Sequence, residues 1–559
     1  MINMKENLIR KKKGKVMKNN KIVTTLLVSL VSVTLFGCGN NKNKDKNKNN
    51  NNNDIILDIK EIENDLELDE NGKFNIDYLE EPVEINMWNV IGEPDLYTLT
   101  KLIDEFNDEY DGYIKINMQP LSEETYYTSL ETKFVHDFGN FPDVCLMHNE
   151  VNIEYAVRGY FYPLDELIEK SGVDFSYENA YDNIERTTVL DGKHFGIPID
   201  AHGYLMNIRQ DIIKKNNLGF ENNTRYIPNS YAEYQTLLEG LRAKADSGEL
   251  WVRNINNDVI KPVDHSWYQL KTGNPKLAES VTKDTFSPSF MQTTEFDALT
   301  ALYVNGGTLQ DSEGNVNFHN NKGFERYITD GVERYNNRLM GGGQKTALFG
   351  PGNVAMFAEG PWWVANTYNN NWNNAQLGDA GKYGVTEEDA NDPVYRYPYA
   401  VSRPQGWWTI EGAPEETASK WYGNGHVLTI TKQVKSLAKV AAILEFARWF
   451  TQGTDDNGDY NLTSWCKAGH IPAWKNVYES NGYKEAAVKS MTLTALGNPA
   501  DIIALEGTRH ASALIGGVIR SVGDVHALLE SNQGCTVAKA KEVLNDVASA
   551  TQNSLYLIS

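Results

Sequence analysis

From Val83 onward the chain alternates between two hydrophobic periods. Val83, Ile85 and Met87 alternate with Glu84, Asn86 and Trp88, the period of two that marks a strand. Glu93-Pro94-Asp95 then opens a helix, with proline early and acids in the first turn. Leu96, Leu99, Leu102, Ile103 and Phe106 make its buried stripe. Residues 113–118 read as a second strand. Ser122 caps a helix carrying Tyr126, Leu130 and Phe134, and Phe141-Pro142-Asp143 introduces a third short apolar strand at 144–147. This rhythm predicts parallel strands joined by crossover helices, an α/β class. Further on, 192–198 read as a turn entering a strand, 210–217 as a short helix and 231–245 as a helix capped by Ser230. Helical stretches alternate with Asn/Gly-rich turns over 286–345. Residues 366–420, rich in Asn, Gly, Tyr and Trp, read as long surface loops. Helices are expected at 437–450 and 536–552.

The first 81 residues follow neither period. Residues 1–37 hold eight Lys or Arg and one acid, Glu6, followed by an apolar stretch at 22–36. A bilayer-spanning helix needs about twenty apolar residues, so this stretch suits a signal peptide. It ends in Leu35-Phe36-Gly37-Cys38-Gly39, which resembles the lipobox of bacterial lipoproteins, where cleavage precedes an acylated Cys. Residues 40–53 are almost wholly Asn and Lys and carry no apolar side chain to offset the entropy of ordering. Such a chain reaches on the order of 20 Å, and the acidic stretch 54–81 is expected to continue this tether. No other segment reads as a membrane span.

Composition narrows the function. The 559 residues hold 75 Asp+Glu against 53 Lys+Arg, a net charge of −22. Removal of residues 1–37 takes the charge to −29. An acidic surface argues against nucleic acid, whose phosphates need a basic face. Four cysteines exclude a disulfide scaffold, and Cys145, Cys466 and Cys535 read as buried thiols. No CxxC or Cys/His cluster suggests zinc, and no metal or cofactor is expected. Nucleophile-elbow, HExxH and Walker A patterns are absent; in RLMGGGQK at 338–345 the residue before Lys345 is Gln344, so the GxxxxGK spacing fails. Asp455, Asn457 and Asp459 have calcium-loop spacing, but the sixth position is Tyr460 and the twelfth Cys466, so they read as a polar turn. Aromatic residues carry more information: 12 Trp and 29 Tyr, with Trp88, Trp267, Trp362-Trp363 and Trp407-Trp408 in polar or turn-like contexts. Sugar rings offer apolar faces edged with hydroxyls, which aromatic planes and polar side chains complement.

Four blocks in order then resemble one family. They are Phe141-Pro142-Asp143-Val144 with Gly159 and YPLDELI at 162–168; GKHFGIPIDAHGYLMN at 192–207; GNVAMFAEGPWW at 352–363; and GNGHVLTITKQVKSLAKVAAILEFARWF at 423–450. Together they are similar to the large sugar-binding class of extracellular solute-binding proteins that serve ABC importers, the class that includes maltose-binding protein. The resemblance covers about residues 82–559. It implies a two-lobed, type II periplasmic-binding-protein-like α/β fold with a hinge between lobes. Lobe 1 would take 82–170 plus 421–475, and lobe 2 171–420 plus 476–559. It implies that Trp362, with Trp363 beside it, stacks on the ligand and that Trp88 lines the cleft rim. Glu150 stands where maltose-binding protein has a hydroxyl-binding Asp, with Asn149 beside it. Asp200, His202 and Tyr204 lie on a loop that reaches the cleft in relatives. Met147 and Val151 replace a Trp and an Arg there, which departs from maltodextrin specificity. The expected function is capture of a carbohydrate, an oligosaccharide by size, and its delivery to membrane permease subunits by a non-enzymatic protein lipid-anchored through Cys38 on the outer face of the cell membrane. The alternatives are a surface glycoside hydrolase, for which no facing carboxylate pair stands out, and a sugar sensor without an importer.

Overall fold

The computed structural model describes residues 59, 61–136, 141–255, 266–271, 281–290, 295–341, 348–361, 391–396, 398–505, 507–531 and 533–558. Strand β1 (Val83–Asn89), helix α1 (Asp95–Glu109), strand β2 (Ile114–Pro120), helix α2 (Glu123–His136), strand β3 (Val144–His148) and helix α3 (Asn149–Val157) follow in the order the two periods predict. Leu99, Leu102, Ile103 and Phe106 form the buried face of α1. β1 lies parallel to β2 and β3, with Val83 opposite Ile114 and Met87 opposite Val144. Parallel neighbours need a crossover between them, which α1 and α2 supply. Asp143 has a structural role here. Its Oδ2 accepts the Asn86 amide at 2.9 Å and lies 3.2 Å from Lys439 Nζ.

The chain continues through β4 (Ile197–Pro198), β5 (Asp200–Ala201), β6 (Leu205–Ile208), α4 (Tyr231–Asp246), β7 (Ser287–Phe290), α5 (Glu295–Val304), α6 (Lys322–Asn336), β8 (Met340–Gly341) and β9 (Val354–Glu359). After these come β10 (Ala400–Ser402), β11 (Trp421–Tyr422), β12 (His426–Ile430), α7 (Leu437–Gln452), α8 (Leu462–Cys466), β13 (Ile471–Pro472), β14 (Ile502–Ile503), α9 (Ala511–Glu530) and α10 (Val537–Ile558). The first sheet has the order β2-β1-β3-β12-β4. It is mixed rather than wholly parallel, because β12 runs antiparallel to both β3 and β4. The second sheet has the order β8-β7-β9-β6-β10, with β6 antiparallel to β9 and β10.

Two hydrophobic clusters accompany the two sheets. One gathers Ile85, Leu146, Val427 and Val440; the other gathers Ile208, Leu299, Met356 and Val518. The first sheet takes in β4, so its share of the chain runs past the expected boundary at 170 to Pro198. The chain passes between the sheets three times: between β4 and β6, between β10 and β12, and between β13 and α9. These passages are bonded to one another. β5 pairs with β13, β11 with β14, and His202 bridges Asn424.

Several expectations need correction. From Ile59 on, the acidic stretch is packed against the body: Ile59 is buried, Glu63 pairs with Ser436, and the Phe74 amide donates to the Gly172 carbonyl at 3.0 Å. Its apolar residues Ile59, Ile62 and Leu66 join the first cluster, which the dominance of acids obscures. Trp407 and Trp408 lie in a short helix and are buried; Trp407 stacks on Tyr234 at 4.7 Å and donates to the Pro228 carbonyl at 2.6 Å. Residues 391–420 therefore hold core rather than surface loop alone, and 366–390 lie outside the described residues. Helix α9 was not anticipated, because its buried residues include glycine and serine (Gly517, Ser521). By length and composition α9 could cross a membrane, yet it packs with α10 and α6 in the second cluster. Asp455 accepts the amides of Asn457 and Asp459 at 2.9 and 3.0 Å, a self-satisfied turn. Cys145, Cys466 and Cys535 are free and buried. Burial pushes the Cys145 thiol up to about 12 and Cys466 well above the usual thiol range.

Just after β6, the fully buried Asp211 carboxylate sits between Arg209 and Arg253, at 2.9 Å from each Nε. Arg209 also donates to the carbonyls of Phe349 and Arg253 at 2.8 and 2.9 Å, so one ion cluster ties three segments. Burial alone would raise the Asp211 pKa, but the two guanidinium groups bring it below its ordinary value. Its contribution is therefore complete at neutral pH and is lost as pH falls through the folded value. Asp211→Ala leaves two buried cations uncompensated and is expected to cost about 3–5 kcal/mol. Urea denaturation of the variant and the parent at pH 7 measures it; a change within about 0.5 kcal/mol, the usual effect of a surface substitution, contradicts this role.

Candidate functional site

The three passages approach unusually closely, and glycines permit it. A Cβ on Gly425 would lie 2.1 Å from the Asp200 carbonyl oxygen, and one on Gly203 would lie 2.0 Å from the Trp421 ring. Gly423-Asn424-Gly425 can therefore lie directly against 200–203. His426, at the start of β12, thereby comes face to face with Asp200 on β5.

Asp200 is the centre of a buried polar cluster. His426 donates its backbone amide to Asp200 Oδ1 at 3.1 Å, and its ring Nδ1 lies 2.9 Å from Oδ2. The indole of Trp465, on α8, donates to the same Oδ2. His202 Nδ1 lies 3.5 Å from Oδ1 and His470 Nδ1 3.6 Å from Oδ2. His470 turns its Nε2 to Asp95 at 3.0 Å, and its ring lies flat against Trp465 with centroids 4.6 Å apart. Asp200 is 0% exposed and His202 only 2%. Burial would raise the Asp200 pKa; His426, His470 and His202 overcome this and hold it well below the carboxylate range. Burial and neighbouring imidazoles push His202 down to about 4. His470, beside Asp200 and Asp95, is shifted upward despite its burial. Asp200, His202, His426 and His470 place one potential ligand atom each within 4.8 Å of all the others, so this cluster can hold a metal ion.

The other expected contact residues lie around this junction. Tyr204 is half-buried and lies parallel to Phe296 on α5, with centroids 4.5 Å apart; Phe296 also meets Tyr422 at 5.7 Å. Glu150, in the first turn of α3, and Glu295 both raise the Tyr422 pKa after burial has done so, which places two carboxylates near the aromatic group. Asn149 is buried, and its amide donates to the Gly425 carbonyl at 2.9 Å. Trp88, at 7% exposure, packs against Phe141 at 6.1 Å. Trp362 and Trp363 lie outside the described residues. Their neighbour Pro361 is described, and a Cβ on Gly469 would lie 3.0 Å from its carbonyl carbon. Pro361 thus lies against Gly469, the residue before His470. His426, His470, Asp95 and Trp465 escape sequence reading because they come from three distant segments with no shared motif. The one available signal is His426 set after Gly-Asn-Gly.

Residues 101–490 match the family described as bacterial extracellular solute-binding protein. No curated protein is significantly similar to the chain in sequence. Solved structures share the fold. The GacH receptor of Streptomyces glaucescens, solved unliganded and with acarbose, is 13% identical with a TM-score of 0.57, covering 85% of this chain and 99% of its own. The maltose/maltodextrin-binding domain MalE of Bdellovibrio bacteriovorus, bound to maltotriose, is 15% identical with a TM-score of 0.55, covering 84% and 100%. UgpB of Mycobacterium tuberculosis, in complex with glycerophosphocholine, is 12% identical with a TM-score of 0.57, covering 85% and 98%.

The close approach of the passages is open to test at Gly425. Gly425→Ala drives a methyl into the Asp200 backbone and is expected to destabilise the protein by about 1–3 kcal/mol. Denaturant midpoints of the variant and parent measure this. An unchanged midpoint would show that the passages separate without cost.

Proposed function

Since the chain belongs to the bacterial extracellular solute-binding protein family, we propose that it captures a carbohydrate, an oligosaccharide, between its two lobes and delivers it to the permease subunits of an ABC importer. The fold is the two-lobed, type II α/β fold of the MalE-like proteins, with a hinge between lobes. In this reading each five-stranded sheet is the centre of one lobe and the bonded passages form the hinge. A closed lobe pair that binds solute better than the open one shifts the population toward closure. The protein performs no bond-making step.

The observation that carries the sugar reading is the pair of half-buried side chains near the passages, Tyr204 and Glu150, with Tyr204 backed by the buried Phe296 ring. Aromatic planes with nearby carboxylates suit the apolar faces and hydroxyl rims of sugars. Trp362, Trp363, Tyr204, Glu150, Asn149 and Trp88 are the proposed contact residues. Asp200 and His202, buried and engaged with each other, serve the hinge and act on the ligand through it. Acarbose and maltotriose occupy the two sugar-binding relatives, while the glycerophosphodiester in the third names the competitor to be tested.

Cys38, at the lipobox, is the proposed site of acylation, and two acyl chains suffice for stable anchoring. Cys38→Ala is expected to move the protein from the membrane fraction to the medium. Equal membrane association of the variant and parent would exclude the lipid anchor.

A thermal-shift screen against oligosaccharides and glycerophosphodiesters tests the ligand class. A sugar at 100 times its Kd is expected to add about 2.7 kcal/mol of stability, with the sugar recovered unhydrolysed. A shift with glycerophosphocholine and with no carbohydrate overturns the sugar reading. For the sugar so identified, Trp362→Ala is expected to weaken binding about tenfold or more, which is about 1.4 kcal/mol. Unchanged affinity by calorimetry removes Trp362 from the site.

A further inference from the structure

We propose that Asp200, His202, His426 and His470 bind one divalent transition-metal ion of the zinc type at the crossing of the three passages. The donor set carries the argument first. Three imidazoles and one carboxylate match the nitrogen and oxygen ligands and the coordination number of a closed zinc site, and imidazole-rich sets favour zinc over calcium or magnesium. Geometry carries it next. The Asp200 oxygens lie 2.9 Å from His426 Nδ1, 3.5 Å from His202 Nδ1 and 3.6 Å from His470 Nδ1. A tetrahedron with metal–ligand bonds of about 2.0–2.1 Å has edges of about 3.3 Å; two of these separations run to Oδ2 and one to Oδ1 and bracket that edge, and all four candidate ligand atoms lie within 4.8 Å of one another, a spread that binding would draw in. All four residues are buried, which suits a site closed to solvent.

The surroundings orient the ligands as metal sites require. A ligating histidine usually donates its second nitrogen to a carboxylate or carbonyl, which fixes the tautomer and the ring plane. His470 has such a partner in Asp95, 3.0 Å from its Nε2. The flat stacking of Trp465 on the His470 ring limits its rotation, and the Trp465 indole fixes Asp200 through Oδ2. A fourth imidazole, His148, lies nearby with its ring centroid 5.4 Å from that of His426, and it pairs through Nδ1 with the Tyr127 hydroxyl at 2.9 Å. That bond directs His148 toward α2 and leaves the set at four. The ligands come from β5, the residue after Ala201, the start of β12 and the residue before β13. A single ion would therefore cross-link the strands on which the two lobes turn.

The test uses the full chain, stripped with chelator and then given zinc or cobalt. One equivalent of tightly held zinc by elemental analysis and calorimetry is expected, with a higher melting midpoint than the chelated protein. Cobalt is expected to give the strong visible absorption of a tetrahedral site. Binding of less than a tenth of an equivalent, or cobalt spectra of octahedral type only, overturns the proposal. His202→Gln is expected to lower zinc affinity at least tenfold and to weaken the cobalt bands. Undiminished binding by a folded His202→Gln variant assigns the ion to some other site and overturns the proposal as well. The cobalt spectrum of the parent protein decides the matter even if the variant does not fold. Because no carbohydrate enters these measurements, the result is independent of the ligand class.

Discussion

The burial of one carboxylate constrains the centre of this molecule. Asp200 carries a charge with no access to water, and an unpaired buried charge is costly enough that a protein neutralises it or surrounds it. Here it is surrounded. The His426 amide and ring and the Trp465 indole bond to it, while His202 and His470 stand close by. Those partners come from separate passages of the chain. Satisfying Asp200 therefore requires the passages to lie together, and Gly425 is the residue that lets them come near enough.

This constraint bears directly on what the family does. A solute-binding protein must turn about its hinge without losing register, because both lobes contribute to the ligand site. Short paired strands, β5 with β13 and β11 with β14, leave the backbone hydrogen bonds of the passages satisfied. The first cluster also takes in Leu205, Phe290, Val354, Phe357 and Val401 from the second sheet, so apolar packing is continuous across the passages. In the proposed reading, closure turns on the few residues on either side of the Asp200 cluster.

The fold is legible in the sequence wherever its periods are local. The alternation at Val83–Asn89 and the apolar stripe of α1 disclose a strand and a helix without reference to the rest of the chain. The antiparallel entry of β12 between β3 and β4 is not legible in that way, since a run of apolar residues does not state its direction. Packing of the acidic segment at Ile59 and Glu63 is hidden for a related reason: a few apolar anchors suffice among many charges. The site divides similarly. Asp200, His202 and Tyr204 come from one block that resembles the family and Glu150 from counting onward from another, whereas His426 (itself within a block), His470 and Asp95 become neighbours only through the fold. Trp407 illustrates the opposite error, because a tryptophan among glycines and prolines reads as exposed although it lies over Tyr234 in a core.

The three buried thiols have a practical side. Each is enclosed by the core and held in its protonated form, and a thiol that does not ionise reacts slowly with alkylating reagents. The folded body is in effect silent toward maleimide chemistry. Tyr97 on α1 and Tyr556 on α10 are 75% and 66% exposed and belong to elements of different cores. Cysteines introduced at these two positions would carry a donor and an acceptor dye without a background from the three buried thiols. Lobe movement could then be followed by energy transfer in single molecules, on a chain in which only Cys38 needs replacing.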